Sequence, residues 1–137
     1  MPLPAEVFLS HATADRASAD LIGEVLERHG VRYWYSRRNI RAAQQWHDEI
    51  GEALARCDWL IVLISDTSVR SRWVKREVLY SLDDDRYEDH VLPIRIDDAD
   101  HRGLSWTLGQ SQMIDLREGE AALRAIVGTW NLGYRRP

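Results

Sequence analysis

The sequence predicts an α/β fold, a parallel sheet with helices on both faces, and three observations carry that reading. The run Leu60 to Ile64 is short, continuous and rich in branched residues, the pattern of a strand buried on both faces. Strand-like and helix-like segments alternate along the chain, as in a series of βαβ units with right-handed crossovers. With 137 residues, a net charge of −4 and ordinary apolar content, residues 1–137 suffice for a single domain with a sizeable core.

Each element has its own signal. Val7 to Ser10 reads as a short first strand, ended by the polar group Ser10-His11-Ala12-Thr13. Ala14, Ala17, Leu21, Ile22, Val25 and Leu26 give a helical period from about Ala14 to His29, with Gly30 as its stop. Val31 to Tyr35 alternates as a second strand, and Ser36 to Gln45 reads as an Arg-rich loop. Trp46, Ile50, Ala53 and Leu54 mark a helix ending near Arg56. After the buried strand, Asp66, Thr67, Ser68 and Ser71 can accept from the free N–H groups that open a helix.

That next helix carries two stripes. Trp73, Glu77 and Tyr80 fall on one, directed at the crevice, while Val74, Val78 and Leu82 make the docking stripe. Asp83-Asp84-Asp85 opposes the helix dipole, so fraying is expected there. Val91 to Ile96 is a fourth strand, placed near the sheet edge by Pro93. Asp97 to Gly109 is irregular with one helical turn, Gln112 to Leu116 a fifth strand, and Glu120 to Trp130 a last helix.

Composition narrows the function classes. The net negative charge argues against a nucleic-acid binder, and no apolar stretch is long enough to span a bilayer. Met1-Pro2-Leu3-Pro4 is not a signal peptide. Cys57 is the one cysteine, which excludes a disulfide framework and a Cys-rich metal site, and a reducing cytoplasm fits. Ahead of an apolar run, Cys57 is expected buried and inert. Asp97, Asp98, Asp100 and His101 lack regular ligand spacing and read as a solvated loop, so no metal is expected.

Five such strands usually take the flavodoxin-like order, with the crevice between the first and third strands. Ser10 and His11, Ser65 and Asp66, and Trp73 and Glu77 would meet there, with Trp34 and the Arg-rich loop (Arg37, Arg38, Arg41) alongside. A phospho-acceptor receiver fits poorly. It needs acidic residues after the first strand and a Lys after the fifth, whereas this chain has Ser-His and a single Lys, Lys75. Ser10 to Asp15 contains no Gly for a flavin phosphate loop, and neither G-x-x-x-x-G-K-[ST] nor G-x-G-x-x-G occurs.

Val7-Phe8-Leu9-Ser10-His11, the loop from Ile40 to Trp46, Cys57 to Ser65, and Ser71-Arg72-Trp73-Val74-Lys75-Arg76-Glu77 resemble, in order, the boxes of Toll/interleukin-1 receptor (TIR) domains. Val91-Leu92-Pro93-Ile94 resembles the family's later strand, and the likeness runs from about Glu6 to Trp130. The resemblance implies a flavodoxin-like fold. In the enzymatic branch it also implies cleavage of the nicotinamide–ribose bond of NAD+, taken as substrate with no further cofactor. Glu77 matches that branch's catalytic glutamate, Trp73 its partner, and Trp34 the aromatic ending the second strand. Where the family's loop usually carries Gly, this chain has Ala43, which does not easily take positive φ.

One carboxylate suffices for that chemistry. Glycosidases generally use two because one must protonate the leaving oxygen. Nicotinamide in NAD+ is already cationic and leaves neutral, so a carboxylate near the ribose need only stabilise the developing positive charge. Trp34 can hold the pyridinium by stacking and cation–π attraction. Trp73 can shield Glu77.

Plainer roles stand beside these. Trp34 and Trp73 also fit core packing, Ser10, His11 and Ser65 fit tying up loop backbone, and Arg37, Arg38 and Arg41 fit a solvated loop as well as diphosphate contact. Two functions follow. One is an NAD+ glycohydrolase or ADP-ribosyl cyclase, completed head to tail by a neighbouring protomer, whose linear, cyclic or base-exchanged product serves a separate effector. That resembles bacterial anti-phage immunity of the Thoeris type. The other is a non-catalytic module that recruits TIR domains. Nucleotide sensing without turnover is a third.

Overall fold

The computed structural model describes residues 2–35 and 43–137. Strands β1 (Val7–Ser10), β2 (Tyr33–Tyr35), β3 (Trp59–Ile64), β4 (Val91–Arg95) and β5 (Ile114–Asp115) alternate with helices α1 (Arg16–Arg28), α2 (Ala43–Arg56), α3 (Arg72–Leu82) and α4 (Glu120–Gly128). All strand pairs are parallel and the order is β2-β1-β3-β4-β5, the flavodoxin-like order expected from the sequence. The centre of the sheet is in register from Val7 opposite Trp59 to Ser10 opposite Val62.

Alternation along each strand builds two cores. Val7, Leu9, Ile61, Leu63 and Ile94 join Ile22 and Leu26 of α1 and Ala122 and Ile126 of α4 on one face. On the other, Phe8, Leu60, Val62 and Ile64 join Ala53 and Leu54 of α2 and Val74 and Val78 of α3. Gly30 ends α1 with φ of +73°, a conformation that favours glycine. Gly23 is required for contact, since a Cβ there would lie 2.8 Å from the Tyr33 hydroxyl.

Several expectations are corrected. α2 begins at Ala43, so the expected loop stops short of Gln45; Ala and Gln are good helix formers, and a helical backbone needs no positive φ. Only the three residues 33–35 pair as β2, and β5 shrinks to two residues. The irregular stretch holds two 3₁₀ turns, His101–Gly103 and Trp106–Gln110, in place of one.

As expected, β4 lies near the sheet edge, beside the edge strand β5. The Ile96 N–H bonds the Ile64 carbonyl, so strand parity turns Pro93 away from β3. It faces β5, whose pairing covers only Ile94 and Arg95, so no ladder donor is lost. The α3 terminus does not fray. Asp84 accepts from the Arg86 N–H at 2.9 Å and pairs with its guanidinium, opening a turn at Asp85–Tyr87. Buried Tyr87 then donates to the Leu54 carbonyl at 2.6 Å, tying that end to α2.

Candidate functional site

The crevice is built from the carboxyl ends of β1 and β3 and the first turns of α3. Ser71 caps α3 as expected, accepting from the Val74 N–H at 3.3 Å. Two of the three residues of the docking stripe read from sequence, Val74 and Val78, pack inward, and Leu82 does not. Val74, Glu77, Val78 and Ser81 are its buried residues, whereas Leu82 is exposed. At 3.6 residues per turn, Ser81 lies about 20° around the helix from Val74 and Leu82 about 80°, so Ser81 shares the inward face.

Glu77 therefore differs from the expectation of a crevice-facing residue outside the core: it is only 3% exposed. Burial of a carboxylate is costly unless it is hydrogen-bonded. Ser10 supplies that bond, its hydroxyl donating to Glu77 Oε1 at 2.7 Å, and Ser10 is itself 1% exposed. The sequence fold explains the meeting: Ser10 ends β1 on the same face as Phe8, the face that α3 covers. Half-buried Trp73 stands one turn before Glu77, with the Arg76 guanidinium 5.2 Å from its ring centroid. Ile50, Gly51 and Leu54 of α2 and Trp73, Arg76, Glu77 and Tyr80 of α3 line a cavity of about 200 Å³.

Other expected site residues divide. His11 is buried beside this group; its Nε2 accepts from Arg16 Nε at 3.3 Å, and its ring centroid is 5.6 Å from that of Tyr35. Ser65 serves the loop: it exchanges hydrogen bonds with Ser68, backbone to hydroxyl in both directions, and donates to Asp15 Oδ2 at 2.5 Å. Asp66 is exposed and paired with Arg70. Trp34 shares the face of Phe8, with ring centroids 5.2 Å apart, but lines a different cavity with Tyr33, Tyr35 and Glu49. Arg37, Arg38 and Arg41 lie outside the described residues.

Asp15 was not singled out from sequence. Burial pushes its carboxyl above the usual range, the Ser65 hydrogen bond opposes that shift, and Asp97 adds to it. The available signal was an Asp at the start of a helix just after a strand's carboxyl end. In the acidic loop, Asp98 pairs with Arg117 and Asp100 with Arg102, while Asp97 accepts from the backbone of Asp66 and Ala99. Those carboxylates serve ion pairs and turns.

A flavodoxin-like sheet with a buried carboxylate at its switch point defines the class. Within it, the TIR domain family model matches residues 7–127, and the chain belongs to that family. A search of curated proteins finds no match. Solved structures share the fold. The TIR domain of the Toll-related receptor TRR-2 from Hydra magnipapillata aligns with a TM-score of 0.71 at 16% identity, covering 92% of this chain and 98% of that one. The TIR domains of the activated Roq1 resistosome, which recognises the effector XopQ, align at 0.70 and 14%, covering 90% and 98%. A metazoan TIR-STING receptor from C. gigas, in complex with 2',3'-cGAMP, aligns at 0.67 and 24%; this chain covers 88% of itself and 38% of that receptor. Among the described residues, no helix is long and apolar enough to cross a membrane.

Proposed function

We propose that this TIR domain is an NAD+ nucleosidase, hydrolysing or cyclising its substrate by breaking the nicotinamide–ribose bond with Glu77 as the catalytic carboxylate. One observation carries the reading: Glu77 is held by Ser10 in a cavity that it shares with Trp73, at the carboxyl end of the sheet. A carboxylate withdrawn from water acts on a developing cation with far more force than one in bulk solvent. As the C–N bond breaks, the electron pair goes to nicotinamide, and the positive charge left on the ribose is stabilised by Glu77. Water, which gives up a proton to solvent as it adds, or an internal nucleophile of the substrate then captures that cation.

In this reading Trp73 shields the carboxylate and Trp34 offers a ring face to the nicotinamide or its ribose. His11 and Ser65 shape the adjoining loops, and Arg37 and Arg38 meet the diphosphate. The cavity beside Glu77 is smaller than the few hundred Å³ typical of sites for drug-sized ligands. A neighbouring protomer, added head to tail, completes the site and excludes water; such contacts build filaments when they do not close. The nucleotide product serves a separate effector in anti-phage immunity, and the protein works in the cytoplasm.

A second reading, a non-catalytic module that assembles with other TIR domains, is favoured by the outer face of α3, where Leu79 and Leu82 are each more than 40% exposed. Incubation with NAD+ and chromatography of the products separates the two. Release of nicotinamide with an ADP-ribose species supports the enzyme; intact NAD+ beside concentration-dependent self-association supports the module.

A further inference from the structure

We propose that Ser10 is a positioning residue, whose hydroxyl fixes the orientation of the Glu77 carboxylate without touching substrate. The proposal rests on the reading of Glu77 as the catalytic group. Ser10 closes an otherwise apolar strand at the middle of the sheet, on the face of Phe8, and is 1% exposed. A hydroxyl in such a place is a cost to folding unless bonded, and Ala would fill the position without that demand. Its bond to Glu77 spans 67 residues of sequence and joins the central sheet to α3.

The distance, 2.7 Å, suits a hydroxyl bonded to an ionised carboxylate. A glutamate stem has several rotatable bonds, and its terminal torsion is broad. A donor on a rigid, fully buried strand removes much of that freedom. It also favours the charged carboxylate over the neutral acid, the form the chemistry needs. Near-attack geometry is sensitive to displacements of about 1 Å, so holding the carboxylate has a kinetic consequence.

The test compares wild type, Ser10→Ala, Ser10→Thr and Ser10→Cys in NAD+ cleavage across pH, with urea unfolding of each. Ser10→Ala is expected to lower kcat about 10- to 100-fold, the size of a charge-assisted hydrogen bond. KM should stay within about threefold, and the acid limb of the kcat profile should move to higher pH. Ser10→Thr, which keeps the hydroxyl, should recover most of the loss, with the weak thiol donor of Ser10→Cys between. Wild-type kcat and an unmoved acid limb in folded Ser10→Ala would overturn the proposal. So would a folded Ser10→Thr as slow as Ser10→Ala.

A double-mutant cycle of Ser10→Ala and Glu77→Ala in urea unfolding tests the contact without reference to turnover. Non-zero coupling is expected, and additivity of the two losses overturns the contact itself. An inactive wild type or a fully active Glu77→Gln would instead overturn the reading of Glu77, a result the cycle keeps separate.

Discussion

Replacing Glu77 by Gln removes a charge and little else. The side chain is 3% exposed, so Ala would leave a void, whereas the amide of Gln keeps the volume and its oxygen can still accept from Ser10. On the stability side, a charge-assisted hydrogen bond becomes a neutral one, a loss of about 1 kcal/mol. That loss is offset in part because a neutral amide is cheaper to bury than a carboxylate. Net stability should therefore change by no more than about 1 kcal/mol. On the catalytic side, a carboxylate about 4 Å from a unit positive charge, at an effective dielectric near 20, contributes about 4 kcal/mol. Transition-state stabilisation of that size corresponds to roughly 10³ in kcat. The assay is chromatographic quantification of nicotinamide from NAD+, with urea unfolding run on the same preparation. A Glu77→Gln protein that unfolds at the wild-type midpoint and turns over within about threefold of wild type would refute the assignment.

Three further outcomes are expected. Trp34→Ala should reduce turnover more than Trp34→Phe, which keeps a ring face against Phe8; Trp34 is half-buried, so Ala should cost about 2 kcal/mol, and equal unfolding of both variants would make Trp34 core alone. Burial, reinforced by Glu6, pushes the Cys57 thiol up to about 12, so the folded protein should resist thiol reagents at pH 8 that label it in denaturant. The unfolded chain loses that proton first, near pH 8.5, so this group's contribution to stability should fall as pH rises from about 9 to 12; a Cys57→Ala variant showing the same decline would contradict it. Specific activity should climb steeply with protein concentration, and charge reversal at Arg37, Arg38 and Arg41 should flatten that rise without shifting the unfolding midpoint; activity that is already flat in wild type would remove the assembly argument.

Local sequence signals carried most of the fold. The apolar run before Ser65 located the central strand, Gly30 the end of α1, and Ser71 the start of α3, because each reports a backbone requirement confined to a few residues. What was not legible depended on partners distant in sequence. Pro93 placed β4 near the edge, but that its missing N–H costs no ladder bond follows only from the shortness of β5. Three aspartates after Leu82 read as fraying until Arg86 and Leu54 supply counterion and acceptor.

The candidate site divides in the same way. Motif spacing put Trp73 and Glu77 one turn apart on the same helix, and switch-point logic brought Ser10 to them. The depth of Glu77 was hidden because a helical stripe gives relative angles, not the absolute rotation of α3 on the sheet. Ser81, small enough to face inward, set that rotation in place of Leu82. The partnership of Ser65 with Asp15 links residues 50 apart, and no local pattern announces it.

The most direct measurement is the release of nicotinamide from NAD+ labelled in the nicotinamide ring, followed at protein concentrations from dilute to near-millimolar. The account predicts label appearing as free nicotinamide in equimolar amount to the NAD+ lost, at a rate per protomer that increases with concentration. NAD+ left intact by folded protein at every concentration would contradict it.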